Sequence, residues 1–515
     1  MGDTHFPITT REPMAQRFFD QGLAWCYGFH HDEAVRSFQE AARLDPGCAM
    51  AYWGMAYATG PHINNMEMTE EATRLAHDNA QKALSLAATV TPLERALIAA
   101  VAKRYVWPAP QDRKSLDLAY AEAMRPVHEA YGTNPDVAAL FAESLMDLRP
   151  WQLWGKDGKP APETPEIVRV LEAGLARHPK HPQLCHLYIH AVEASPHPEK
   201  ALTAAETLDG LVPGVGHLVH MPSHIYVRTA HYERVTETNR RAVEVDRSIV
   251  ARTGRVGFYE LYRAHNFHFV VYGAMFEGRS GDAIRYAREM VTELPADVVR
   301  AMPQFLEGFM AVPYHALVRF GRFEEMLREP EPAAYLPATR AFWHYGRGVS
   351  LAALGRVDAA VAEQQAFEKA FAAVPENYTM GNNPLRTILE IGRAILKGEI
   401  EFRRGNHDVA FAALRDAVRR DEELKYDEPW GWMMPASHPL GALLLAAGRV
   451  SEAEEVYRAD LKRHPENGWA LVGLEECLRK SGKTAEAEAI GARLAKAFAR
   501  ADLEIHSSCF CKTGE

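Results

Sequence analysis

A pattern of small and large residues recurs along this chain of 515 residues, and no other feature limits its fold as strongly. The segment GALLLAAGRVSEAEEVYRADLKRHP sets Gly441, Leu444, Gly448, Ala453, Tyr457 and Pro465 in a fixed order. Near the N-terminus Gly22, Trp25, Ala34, Phe38, Ala41 and Pro46 keep the same spacings wherever the two copies share a position. Gly398, Gly405, Ala410, Leu414 and Ala417 make a third copy. Small residues at such positions let two helices approach closely, large ones fill the gaps between them, and proline closes the second helix. Apolar residues return at i, i+3, i+4 and i+7, while strict apolar–polar alternation is nearly absent. The chain reads as stacked helix pairs.

A repeat of about 34 residues built in this way is the tetratricopeptide repeat. The expected fold is all-α: a tetratricopeptide-repeat α-solenoid, wound as a right-handed superhelix with a concave groove. Degenerate copies end in ASPHPEKALTAAETL, FEGRSGDAIRYAREM and AALGRVDAAVAEQ. The expected organisation is N-terminal repeats over 1–147, a connection or lid over 148–166, histidine-rich repeats over 167–330, C-terminal repeats over 331–498 and a cysteine-containing tail over 499–515. Residues 148–166, LRPWQLWGKDGKPAPETPE, carry two Trp, four Pro and two Gly and cannot be helical throughout. A plain connection is favoured there over a lid, although Trp151 and Trp154 are odd residues to leave in water.

Histidine is placed very unevenly, with eleven of the 23 between residues 178 and 268. Each repeat can be numbered so that its turn glycine is residue fifteen. His186 and His190 then fall at the fifth and ninth places of one repeat. His217, His220 and His224 fall at the second, fifth and ninth of the next. His265 and His268 take the second and fifth of a third, with Tyr272 at its ninth. Spacings of three and four put such side chains on one helix face. The seven are expected to converge in the groove from three neighbouring first helices. Pro222 is expected to start its helix, with His217 and His220 on the approach turn. His30, His31, His178, His181, His197 and His231 fall in turns or helix ends and read as solvated surface.

Imidazoles crowded together disfavour one another's charge, and neutral rings offer lone pairs to a transition metal. An almost purely imidazole donor set suits copper, zinc or iron rather than magnesium or calcium. Copper ranks first, zinc second and iron third, with Glu193 as the carboxylate an iron site would need. The leading functional expectation is a copper-dependent oxidoreductase acting on a small molecule. His186, His190, His217, His220, His224, His265 and His268 are its expected ligands. Tyr262, Tyr272 and Glu193 are weaker candidates for proton transfer or substrate contact. A scaffold binding a peptide or partner protein in the same groove is the alternative, and a zinc hydrolase the third reading.

Other features bound the reading further. The net charge of −10, with both signs interspersed, provides no basic footprint for nucleic acid. No apolar run reaches membrane-spanning length and the N-terminus has no secretory pattern, so a cytoplasmic location without membrane contact is expected. Phosphate-loop, dinucleotide and serine-hydrolase motifs are missing. Trp53 and Tyr57 either face the groove or pack. His438 reads as buried or solvated. His506, Cys509 and Cys511 could hold a soft metal or form a redox pair, or could belong to a frayed end.

The segments FFDQGLAWCYGFHHDEAVRSFQEAARLDPGCAMAYWGMAY, CHLYIHAVEAS, GHLVHMPSHIYVRT, AHNFHF and HPENGWALVGL resemble bacterial proteins of the tetratricopeptide repeat protein 38 family. The resemblance spans nearly the whole chain and implies the helical-repeat fold, but carries no settled reaction or substrate.

Overall fold

The computed structural model describes residues 1–254 and 257–512. The regular structure of its described residues is almost entirely helical, with one short antiparallel hairpin, Thr379–Met380 against Asn383–Pro384. They divide into two compact units, one of residues 1–225 with 244–249, the other of 226–243 with the rest of the chain.

The N-terminal unit is a run of helix pairs: Pro13–Tyr27 with His31–Leu44, Ala49–Thr59 with Glu70–Leu86, Lys114–Tyr131 with Pro135–Met146, and Thr164–Arg177 with Pro182–Val192. The small-to-large pattern explains the pairing. A Cβ on Gly22 would lie 2.6 Å from the Phe38 ring, and so would one on Gly54 from the next repeat. Phe38 is fully buried between two helices that only glycine allows so near. Local signals set the boundaries. Thr91 and Glu94 form a reciprocal capping box at Pro92–Val101, and the Asn134 side chain caps Pro135–Met146.

The C-terminal unit repeats the device. Gly441 and Gly473 both face the Tyr457 ring, with added Cβ atoms at 2.5 and 2.1 Å, and Gly398 faces Leu414 at 2.5 Å. Turn glycines Gly405, Gly448 and Gly482 have φ of 80°, 73° and 70°, the left-handed region that a side chain resists. The described part of the tail is fastened to the unit. Asp502 accepts from the backbone N–H groups of Ser280 and Gly281 at 2.8 and 2.7 Å, and Ser508 donates to the His438 carbonyl at 2.8 Å. These features make the protein an all-α tetratricopeptide-repeat fold. No helix among the described residues is long and apolar enough to cross a membrane.

Candidate metal centre

Two helical tracks of the N-terminal unit carry the site. On Pro182–Val192, the His181 side chain accepts from the Leu184 N–H at 3.3 Å and Pro182 takes the first position, where a missing N–H is harmless. One turn separates His186 from His190, so both emerge on one face. On the second track Pro222 starts its helix as expected, but the approach before it is helical rather than a turn. His217 and His220 lie on a helix of their own, Gly216–His220, which runs through Met221 into Pro222–Arg228. The Met221 N–H bonds the His217 carbonyl at 2.9 Å and the His224 N–H bonds that of Met221 at 3.1 Å, so the backbone stays helical across Pro222. His217, His220 and His224 therefore share a face.

These five histidines come together, and none is more than 5% exposed. They form an interior cluster, not the lining of an open groove. His186 and His217 bring their Nε2 atoms to 3.2 Å, and His220 and His224 to 2.7 Å. Ligand atoms of His186, His190 and His217 all lie within 4.8 Å of one another, as do those of His190, Glu193 and His224. Behind the rings, Glu193 Oε1 accepts from His190 Nδ1 at 3.0 Å and Oε2 from His224 Nδ1 at 2.5 Å. Gln183 Oε1 accepts from His186 Nδ1 at 3.1 Å. An Nδ1 that donates leaves a lone pair on Nε2, so three rings present Nε2 as a ligand atom. His190 Nε2 is buried without a hydrogen-bond partner.

Burial and crowding disfavour a positive charge on three of the rings. Burial first, and then the neighbouring imidazoles, push His186 and His217 well below the ordinary histidine range. His224 is also lowered by burial, with Glu193 opposing. For Glu193, burial acts to raise the pKa, but the flanking His190 and His224 outweigh it and hold the carboxyl down at about 2.

Two further elements enclose the cluster. Phe29 stands where other repeats have their turn glycine, with a left-handed φ of 53°. Its ring lies 4.7 Å from His186, 5.1 Å from His217 and 6.0 Å from His190, and stacks on His62 at 4.5 Å. Sequence reasoning missed Phe29 and His62; the available signal was a bulky residue in a glycine position. The solvated reading of His30 and His31 is corrected here. His30 is 8% exposed and sits edge-on to Trp25, and His31 packs 4.4 Å from the His62 ring, because Phe29 turns this corner inward. Residues 148–163 then pack over the other side. Trp154 Nε1 donates to the Ala191 carbonyl at 2.7 Å, and the Trp151 ring stands 5.7 Å from that of His190. A cavity of about 20 Å³, room for one water molecule, lies between Trp151, Trp154, His190 and Glu193.

Trp53 stacks on Tyr57 at 5.3 Å, and Tyr57 donates to Glu143, so both are packing residues. His265, His268, Tyr262 and Tyr272 share the helix Glu260–Glu277, which belongs to the C-terminal unit. There His265 meets Phe269 edge-on at 5.0 Å, and His268 touches Met433 and the Phe309 ring. Tyr262 packs on Tyr259 and Tyr272 on Phe276. His438 is fully buried, with Arg319 at 3.1 Å and Asp460 at 3.3 Å.

Comparison with known proteins supports the repeat. The sequence profile of a tetratricopeptide-repeat family matches residues 444–507. No curated protein matches the chain. Human IFIT1, solved as a dimer with m7Gppp-AAAA, is 13% identical over 95% of this chain and 91% of that one, with a TM-score of 0.34. The tetratricopeptide-repeat domain of P58(IPK) is 10% identical over 91% of this chain and 99% of that one, at 0.23. The fold assignment rests on the chain's own helix pairs and the matched repeat.

Proposed function

We propose that this tetratricopeptide-repeat protein binds a first-row transition-metal ion inside its N-terminal unit, through the Nε2 atoms of His186, His190, His217, His220 and His224. The observation that supports this is the shared polarity of the rings. Glu193 and Gln183 engage the Nδ1 atoms of His190, His224 and His186, which aims their Nε2 lone pairs inward. Metal-binding histidines are oriented by such carboxylates, which also raise their basicity. His217 and His220 can donate into the facing lone pairs when no ion is bound, while His190 Nε2 keeps no partner.

Imidazole in excess with one carboxylate behind it favours copper, then zinc, then iron. Copper would supply electron transfer to a small molecule, and zinc hydrolysis or a structural role. His265, His268, Tyr262 and Tyr272 are not needed for this reading. A second reading, a scaffold that captures a peptide or partner protein, is favoured by the repeat match at 444–507. The finer kinship with the tetratricopeptide repeat protein 38 family is compatible with either.

Metal content decides between them. Untagged protein is analysed by mass spectrometry before and after loading with copper, zinc and iron. At least one equivalent is expected, abolished in the His190→Ala/His224→Ala double variant at unchanged helicity. Glu193→Gln should weaken it by roughly 10- to 100-fold. Protein that takes up no metal under any loading overturns the proposal and leaves the scaffold.

A further inference from the structure

In the C-terminal unit, the tail returns Cys509 and Cys511 to the hydrophobic core beside Glu399 of the helix Leu385–Arg403. The two sulfurs are bonded to each other, and a Glu399 oxygen lies within 4.8 Å of both. Cys509 is 7% exposed, Cys511 1% and Glu399 0%. Neither Glu399 oxygen has a hydrogen-bond partner. Arg403 of the same helix donates to the Cys511 carbonyl, and the Tyr345 hydroxyl, on Pro337–Ala353, is likewise buried without a partner.

Neither feature has a structural explanation. A disulfide stabilises by closing a loop, and this one encloses a single residue, Phe510. A carboxyl buried with no partner costs free energy that a Gln or Leu there would avoid or reduce. Both features make sense together as redox chemistry.

We infer that Cys509 and Cys511 form a thiol–disulfide exchange site for low-molecular-weight thiols, with Glu399 as its proton donor and acceptor. A thiolate attacks Cys509 Sγ, the more exposed sulfur, and the Cys509–Cys511 bond breaks. Cys511 leaves as a thiolate and takes a proton from the Glu399 carboxyl. A second thiolate attacks the small-molecule sulfur of the mixed disulfide, releasing the oxidised small-molecule disulfide and a Cys509 thiolate, which takes its proton from water, as does the Glu399 carboxylate. Two small thiols are oxidised, and one protein disulfide is reduced to two thiols. In the reverse direction Glu399 accepts the proton. Burial, against the opposing charge of Arg403, pushes Glu399 up to about 7, which suits a group that must both give and take a proton near neutrality. Arg403 and Tyr345 are the other titratable groups facing it.

The test uses the full chain. Glutathione reduction is followed across pH 6–9 by native alkylation and peptide mapping. Two new thiols are expected, both in the tail. Cys26, Cys48, Cys185 and Cys477 should stay unmodified, since burial raises all four. Glu399→Gln should slow exchange roughly 100-fold and remove the inflection near neutral pH. Cys511→Ser should accumulate a stable Cys509 mixed disulfide with oxidised glutathione. Three results would each overturn the inference: reduction only on global unfolding, identical pH profiles in the wild type and Glu399→Gln, or a metal ion retained by the reduced tail in native mass spectrometry.

Discussion

Phe29 offers a test in which the usual order of two substitutions reverses. At most sites glycine is less stable than alanine by about 0.5–1 kcal/mol, because it frees the unfolded chain. Phe29 has a φ of 53° and occupies the turn position that Gly405, Gly448 and Gly482 hold in other repeats. A side chain in that region costs about 1–2 kcal/mol. Phe29→Ala keeps this strain and loses a buried ring that touches His62, His186 and His217, a loss of about 3–5 kcal/mol. Phe29→Gly loses the same ring but relieves the strain, so the Gly variant should exceed the Ala variant by about 0.5–1 kcal/mol. Hydrogen exchange of peptides from Pro13–Tyr27 and His31–Leu44, across a urea series, reports this unit separately from the other. An Ala variant as stable as the Gly variant would refute the left-handed turn, and with it the account of how the ring reaches the histidines.

The other expectations are more conventional. Gly22→Ala and Gly441→Ala, whose methyls would meet Phe38 and Tyr457 at 2.6 and 2.5 Å, should each cost about 1–3 kcal/mol in denaturant titrations. Gly448→Ala, with open space around it, should show only the strain of its φ. Arg104 and Asp147 form a buried ion pair at 2.5 Å, so Asp147→Asn should destabilise by about 3–5 kcal/mol, and a double replacement by apolar residues far less. Equal losses in both would show that the lone guanidinium is not the problem. His315 is lowered by burial to about 4, so the unfolded chain takes its proton first as pH falls below about 6.5. Its own contribution should be a loss of up to about 3 kcal/mol between pH 6.5 and 4, added to those of the other buried histidines whose pKa is lowered. His315→Phe should reduce the slope of the pH–stability curve in that range by its share, and an unchanged slope would refute the assignment.

What was legible in the sequence was what depends on local spacing. Gly22 against Phe38 and Gly441 against Tyr457 are set within one helix pair, so the repeats could be read directly. His186 with His190, and His220 with His224, are one turn apart, and their shared faces follow from helix geometry whatever surrounds them. Glu193, marked as the one carboxylate in register, does lie between two of the histidines, although its oxygens meet Nδ1 atoms and stand behind the rings. Phe29, His62 and Trp151 reach the cluster through contacts between distant segments, which no periodicity encodes. Pro222 does start its helix, as expected, but the approach before it is itself a short helix, Gly216–His220.

The rings of Phe38 and Tyr457 also bear on how this molecule should come apart under load. Each is clasped by the glycine of its own repeat and by that of the next, Gly54 for Phe38 and Gly473 for Tyr457. Excising one repeat would strip a neighbour of half its socket, so repeats here are interlocked links rather than interchangeable beads. Stretched from its ends, the chain should yield in discrete jumps, each releasing one ring together with the two helices it bridges, rather than paying out helix by helix.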